Sequence, residues 1–170
     1  MFGGPFASAE PQEHVYDVYL KLEGFSGDSV TKGYEKWIAL NDNVKFGVEN
    51  TSVVAGSGTG IAISKPTFNG IQFTKPTDSA SIQLMQAAAM STVIKSASIV
   101  FVKAGATGTK PFLTVDLTDV VLNSYSFDGG VETIKVGYSS INMSYTALKA
   151  DGTAGATIKG GFDLKKLIKI

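Results

Sequence analysis

The sequence of 170 residues contains no cysteine, no arginine and a single histidine, His14. Without cysteine there is no disulfide framework, no thiolate zinc site and no cysteine nucleophile. One histidine excludes most histidine-based metal sites and makes a Ser–His–Asp triad improbable. All 15 positive charges are lysines, so the bidentate forks that grip phosphate, carboxylate or guanine are missing. Fifteen acids balance them to a net charge of zero, whereas a dedicated nucleic-acid binder carries a basic patch or a pI above about 9. Charged residues make up 18%, below the roughly 25% of ordinary domains, while the hydrophobic share is 44%. No run approaches the roughly 18 apolar residues of a membrane span. Such a composition points away from catalysis and towards a surface that packs against copies of itself.

What is present is nearly all β. Residues 15–170 read as a single domain, with residues 1–14 as an N-terminal arm or tail. Ala7-Ser8-Ala9 has the small-x-small shape of a signal-peptidase site, but a basic region and an apolar stretch are missing before it. From Val15 to Leu22 the chain alternates, with Val18, Leu20 and Leu22 on one face, which predicts a half-buried strand. Trp37 to Val48 predicts a second strand, and Pro66 to Thr74 a further extended segment. Ile99 to Val102 is apolar on both faces, the mark of a strand covered on both sides. Gly105 to Gly108, Asp128-Gly129-Gly130 and Asp151-Gly152 are turn signals.

Phe112 to Leu122 contains a change of phase. Val115 and Leu117 share one parity and Val120 and Leu122 the other, with the switch across Thr118-Asp119. The return strand repeats it: Ile134, Val136 and Tyr138 give way to Ile141, Met143 and Tyr145 across Ser139-Ser140. Phase changes in two strands joined by a hairpin predict paired bulges or bends, which curl a sheet into a barrel. One helix is predicted over about residues 79–91, with Asp78 or Ser79 as its N-cap. Ile82, Met85 and Ala89 with Leu84 and Ala88 supply its helical spacing. The expected fold is therefore mainly β, an antiparallel barrel or sandwich with one flanking helix. A short final strand around Gly161 to Leu164 precedes a lysine-bearing tail of Lys165, Lys166 and Lys169.

Motifs that could carry chemistry fail on inspection. Val53 to Gly60 superficially resembles a dinucleotide-binding turn, but Ile61 stands where the last glycine belongs and Pro66 blocks a long helix. Gly27-Asp28-Ser29 lacks a following histidine to activate the serine. Asp116, Asp119 and Asp128 read as solvated strand-edge carboxylates, and the first two fall on opposite faces unless a bulge intervenes. Aromatics such as Tyr19, Tyr34, Trp37 and Phe46 could stack bases or sugars, but without a basic groove they read as packing residues. No catalytic, cofactor-binding or metal-ligating set is predicted.

In order along the chain, several blocks resemble the haemolysin-coregulated protein family, the tail-tube protein of type VI secretion systems. Tyr19-Leu20-Lys21-Leu22-Glu23-Gly24-Phe25-Ser26-Gly27-Asp28-Ser29 is similar to the family's opening strand and turn. Trp37-Ile38 through Val48 resembles its second strand, and Lys75 to Ala89 its capped helix. Asp116-Leu117-Thr118-Asp119-Val120, Ile141 to Thr146, Ala150 to Gly155 and Gly161-Phe162-Asp163-Leu164 complete the succession. Met143 and Phe162 stand where the family carries tryptophan, and the segment before the first strand is longer than in relatives, which marks a divergent member.

The resemblance implies a self-assembling structural subunit, without enzyme activity, that forms hexameric rings stacking into a hollow tube. It implies a chain made in the cytoplasm and propelled to the exterior, with itself as main partner and secreted effectors or tip proteins as further ones. The family's long loop after the second strand contacts neighbouring subunits. It matches Glu49 to Ser64 here, so Glu49, Thr51, Val53, Val54, Gly56, Gly58 and Ile61 are expected at the subunit interface. Phe2 and Phe6 are expected as apolar anchors of an arm that docks on an adjacent subunit. The alternatives are a free-standing extracellular filament built from the same domain, and a monomeric β module binding glycan or peptide.

Overall fold

The computed structural model describes residues 16–54, 60–103 and 110–170. Strands β1 (Tyr16–Leu22), β2 (Ile38–Leu40), β3 (Lys45–Glu49), β4 (Val53–Val54), β5 (Ile61–Ala62) and β6 (Thr67–Pro76) precede helix α1 (Ser81–Met90). After it come β7 (Val93–Lys103), β8 (Leu113–Asp128), β9 (Val131–Gly137), β10 (Ser140–Leu148), β11 (Ala154–Asp163) and β12 (Ile168–Lys169). The expected mainly β architecture with one helix is what forms. The second predicted strand is broken into β2 and β3, and the expected loop from Glu49 contains the small β4–β5 hairpin. The lysine-bearing tail also folds: β12 pairs with the end of β11, with Ile170 and Gly161 exchanging both backbone hydrogen bonds. The turn expected at Gly105 to Gly108 lies outside the described residues.

All pairings among the described residues are antiparallel, and β8 organises them. Its first half lies between β7 and β10, and its second half pairs with β9. The change of partner falls at Asp119, whose φ of 48° places a non-glycine residue in the left-handed region. The burial phase flips there, from Val115 and Leu117 to Val120 and Leu122, and on the return strands from Val136 to Ile141. The Ser139 N–H bonds the Thr118 carbonyl at the bend. The paired bends inferred from alternation are therefore real, and they turn one long ribbon into two sides of a barrel.

The barrel closes by a circuit of strands. β9, β8, β7, β1 and β2 follow one another, and β6 pairs with β9. The Asn41 N–H, just after β2, bonds the Thr74 carbonyl of β6 at 2.9 Å and completes the ring. Inside lie Val18, Leu20, Leu22, Ile71, Phe73, Ile99, Val115, Leu117, Ile134 and Val136. A second, smaller apolar cluster on the outer side joins Tyr19, Val100 and Val102 to Tyr34 and Trp37. That is why Ile99 to Val102 is apolar on both faces.

Helix α1 lies against β8 and sends Leu84, fully buried, into the barrel interior. Ala80 and Ala87 share that buried face. Its spacing reads differently from the sequence expectation: Ile82 is 72% exposed and Met85 46%. The apolar positions cover more of the circumference than one face, and the sequence alone does not say which stripe turns inward. The expected cap is displaced too. Ala80 occupies the N-cap without a side-chain bond, while Asp78 Oδ1 accepts the Ala80 N–H at 2.9 Å and Ser81 Oγ accepts the Asp78 N–H at 2.9 Å.

Strand directions define two ends. β1 runs from Tyr16 at one end to Leu22 at the other. Five antiparallel steps through β7, β8, β9, β6 and β3 make β3 run opposite to β1. The β4–β5 hairpin therefore leaves at the Tyr16 end. The start of β7, which extends past the Leu22–Ala97 pair, places Met90 and Val93 at the opposite end.

Candidate assembly interface

The sequence motifs that evoked catalysis are structural in place. Asp28 accepts hydrogen bonds from the Ser79 N–H and hydroxyl, tying the first turn to the approach of α1. The Ser29 hydroxyl oxygen accepts a long 3.4 Å bond from the Thr31 N–H, and the Ser29 carbonyl accepts the Lys36 N–H at 2.8 Å. Asp116 pairs with the Ser98 hydroxyl on the outer face of the sheet. Asp119 is held by Lys165 Nζ at 2.9 Å and the Ser139 hydroxyl at 3.1 Å. Those two bonds and the lysine's charge keep its carboxyl below the usual range, and the bond to Asp119 with that carboxylate's charge lifts Lys165 above its own. Val53-Val54 is a strand that pairs with β5 rather than entering a helix. Among the described residues, no group of three His, Asp or Glu side chains could hold a metal ion.

Of the loop residues expected at an interface, Val53 and Val54 are exposed apolar side chains. Val53 is 62% and Val54 77% exposed, and Ile63 beyond the hairpin is 83% exposed. Glu49 and Thr51 are exposed as well. Polar side chains hold the base of the hairpin. Asn50 Oδ1 accepts the Ser52 N–H at 2.8 Å, Ser52 Oγ accepts the Ser64 N–H at 2.8 Å, and the Thr51 hydroxyl bonds Ser64 Oγ at 2.8 Å. An isolated two-stranded hairpin has little stability of its own, so two outward valines on a braced base favour burial against a partner. Ile61 pairs with Val54 through the backbone. Phe2, Phe6, Gly56 and Gly58 lie outside the described residues.

Two further apolar surfaces were not evident from the sequence. At the Leu22 end, Ile82, Met85, Met90 and Val93 are all exposed. Met90 and Val93 also line a groove of about 470 Å³ with Phe25 and Gln86. The signal was the apolar residues left over once Leu84 and Ala87 face the core, but it needs the helix phase to be read. The second surface is a slit of about 230 Å³ between β3 and β6 on one side and β10 and β11 on the other. Phe68 stacks on Phe162 across it at 5.2 Å between ring centroids.

One buried polar cluster sits where β6, α1 and β9 meet. Lys75 and Glu132 face each other across the strands and are fully buried. Lys75 Nζ reaches Glu132 Oε1 at 3.1 Å, Asp78 Oδ1 at 2.9 Å and the Ser81 hydroxyl at 3.1 Å. The Ser81 hydroxyl donates to Glu132 Oε2 at 2.7 Å. Burial pushes the Glu132 pKa up, but hydrogen bonds from Ser81, Lys75 and Thr77 outweigh it and hold the carboxyl below its ordinary value. Every charge is partnered, which fits a structural tie rather than a reactive centre.

Comparison with known proteins is concordant with this geometry. A family model described as "Type VI secretion system effector, Hcp" matches residues 19–145. A solved structure described as a type six secretion system protein is similar with a TM-score of 0.82 at 25% identity, covering 91% of this chain and 99% of the other. Hcp1 from Salmonella typhimurium is similar with a TM-score of 0.73 at 26% identity, covering 92% and 99% respectively. A type VI secretion system effector from Yersinia pestis shares the fold at 18% identity and a TM-score of 0.65, covering 86% and 99%. No curated protein sequence matches the chain.

Proposed function

The chain belongs to the Hcp family of type VI secretion proteins, and from that premise we propose that it is a structural tube subunit. Copies form rings, hexameric as in the family resemblance, and the rings stack into a hollow tube. Residues 15–170 are the building block. Glu49, Thr51, Val53, Val54, Gly56, Gly58 and Ile61 belong to its contact with a neighbour. The tube is made in the cytoplasm and exported, with secreted effectors and tip proteins as its further partners. It has no catalytic role.

The observation that carries this reading is the placement of two unpartnered apolar surfaces at opposite ends of the barrel. The Val53-Val54 hairpin projects at the Tyr16 end, and the Met85, Met90 and Val93 surface lies at the Leu22 end. Different patches meeting head to tail make a heterologous contact, which propagates along an axis instead of closing as a dimer. The weak surface charge lowers the desolvation cost of burying such faces. Sedimentation velocity over a range of concentrations tests the reading. Species at multiples of the 17.8 kDa chain, growing with concentration, are expected. A monomer persisting at the highest concentration overturns it.

A further inference from the structure

The slit between the two halves of the sheet is an apolar opening in an otherwise well-packed barrel. Phe46 and Val48 of β3 form its rim and are 37% and 56% exposed. Phe68, Met143, Gly160 and Phe162 line its walls. A Cβ added at Gly160 meets nothing within 4 Å, so open space lies beside that residue. At about 230 Å³ the cavity falls below the roughly 300–1,000 Å³ of small-molecule sites. It is of a size for a side chain.

A segment of this chain has matching chemistry and length enough to reach the slit. Residues 1–9 carry no charged side chain and include Phe2 and Phe6. The described fold starts at Tyr16, whose hydroxyl donates to the Asp42 carbonyl at 3.3 Å. Asp42 precedes the rim residue Phe46 by only four positions, a span of at most about 14 Å. Phe6 lies ten positions before Tyr16, which gives a reach of about 33 Å when extended. The arm therefore has length enough to reach the slit from Tyr16.

We propose that the slit is the docking site for the N-terminal arm of the same subunit, with Phe6 seated between Phe68 and Gly160 and Phe2 against the Phe46–Val48 rim. The sequence expectation placed these anchors on an adjacent subunit. The reach from Tyr16 to the slit of the same subunit favours the shorter route. Docking covers exposed apolar surface next to β3, which leads into the hairpin, and so finishes the subunit before it meets its neighbours. The inference does not depend on whether tubes form.

The absence of cysteine makes a direct test clean. In the full chain, Phe6→Cys combined with Gly160→Cys forms an intrachain disulfide on mild oxidation, read as a monomer with a cross-linked peptide. Phe6→Cys with Val30→Cys is the control, since Val30 is 91% exposed and follows the Leu22 end. The control stays uncross-linked. A cross-linked dimer at Gly160 assigns the slit to a neighbour's arm and overturns the proposal, as does equal cross-linking of both pairs or of neither. Hydrogen exchange supplies a second readout. Phe2→Ala with Phe6→Ala raises exchange at residues 46–48 and 160–162 by roughly tenfold, an opening of local structure without global unfolding. Unchanged exchange there contradicts docking.

Discussion

The two halves of this barrel solve the same packing problem differently. Around α1 the sheet is closed, Leu84 plugs the interior, and a fully partnered Lys75–Glu132 pair ties three elements together. Around β3, β10 and β11 the sheet is open, with Phe46, Val48 and the hairpin valines left in solvent. Both halves alternate in sequence, yet one has finished burying its apolar face and the other has not. The contrast separates residues that hold the subunit together from residues available for contact, and each can be changed without touching the other.

The sharpest contrast comes from removing one member of the buried pair. Glu132→Ala takes from the Lys75 ammonium its fully buried carboxylate partner, leaving only Asp78, and is expected to cost about 3 kcal/mol in urea unfolding. Replacing both by Lys75→Met and Glu132→Leu should return part of that loss, because only Asp78, which keeps its bond from the Ala80 N–H, then loses an ionic partner. The pair also sets a pH dependence. Since the folded Glu132 carboxyl lies below its ordinary value of 4.5, its stabilisation is present above that value. It disappears as pH falls through the lower folded value. Glu132→Gln should flatten this acid limb, as read by thermal midpoints across the acid range.

Leu84→Ala, in the closed half, should cost about 2–5 kcal/mol by removing a fully buried side chain and leaving a cavity. Gly161→Ala probes the boundary with the open half. Its Cβ would sit 2.3 Å from the Ile141 carbonyl oxygen, so the β10–β11 pairing must shift, at about 1–3 kcal/mol in the same assay. The smallest expected effect on folding is at the hairpin. Val53→Ser with Val54→Ser should change subunit stability by less than about 0.5 kcal/mol, because both side chains already face solvent. Sedimentation should nonetheless show that the stacked species are lost. A large loss of stability there would erase the distinction between the halves.

Much of the closed half was legible in the sequence, because burial on one face imposes period two. Val18, Leu20 and Leu22, and the phase flip at Asp119 with its echo at Ser139-Ser140, could be read without coordinates. The Gly129 and Gly130 turn follows from their positive φ angles of 56° and 90°, which glycine adopts freely. Lys75 was also in phase with Ile71 and Phe73, but a lysine in an apolar register reads as an exception until its partner is located. That partner, Glu132, is 57 positions away. The helix was legible as a helix but not in orientation, since Ile82 and Met85 are as apolar as Leu84. The hairpin was expected through family resemblance rather than local pattern. The slit depends on how β3, β6, β10 and β11 approach one another across the barrel, and no local periodicity encodes that.

The central claim is that this subunit builds an axial assembly through its exposed hairpin. Negative-stain electron microscopy of the full chain, beside the Val53→Ser and Val54→Ser double variant, tests it most directly. The account predicts rings and stacked tubes for the former and no stacked tubes for the latter. Tubes in both samples, or in neither, would contradict it.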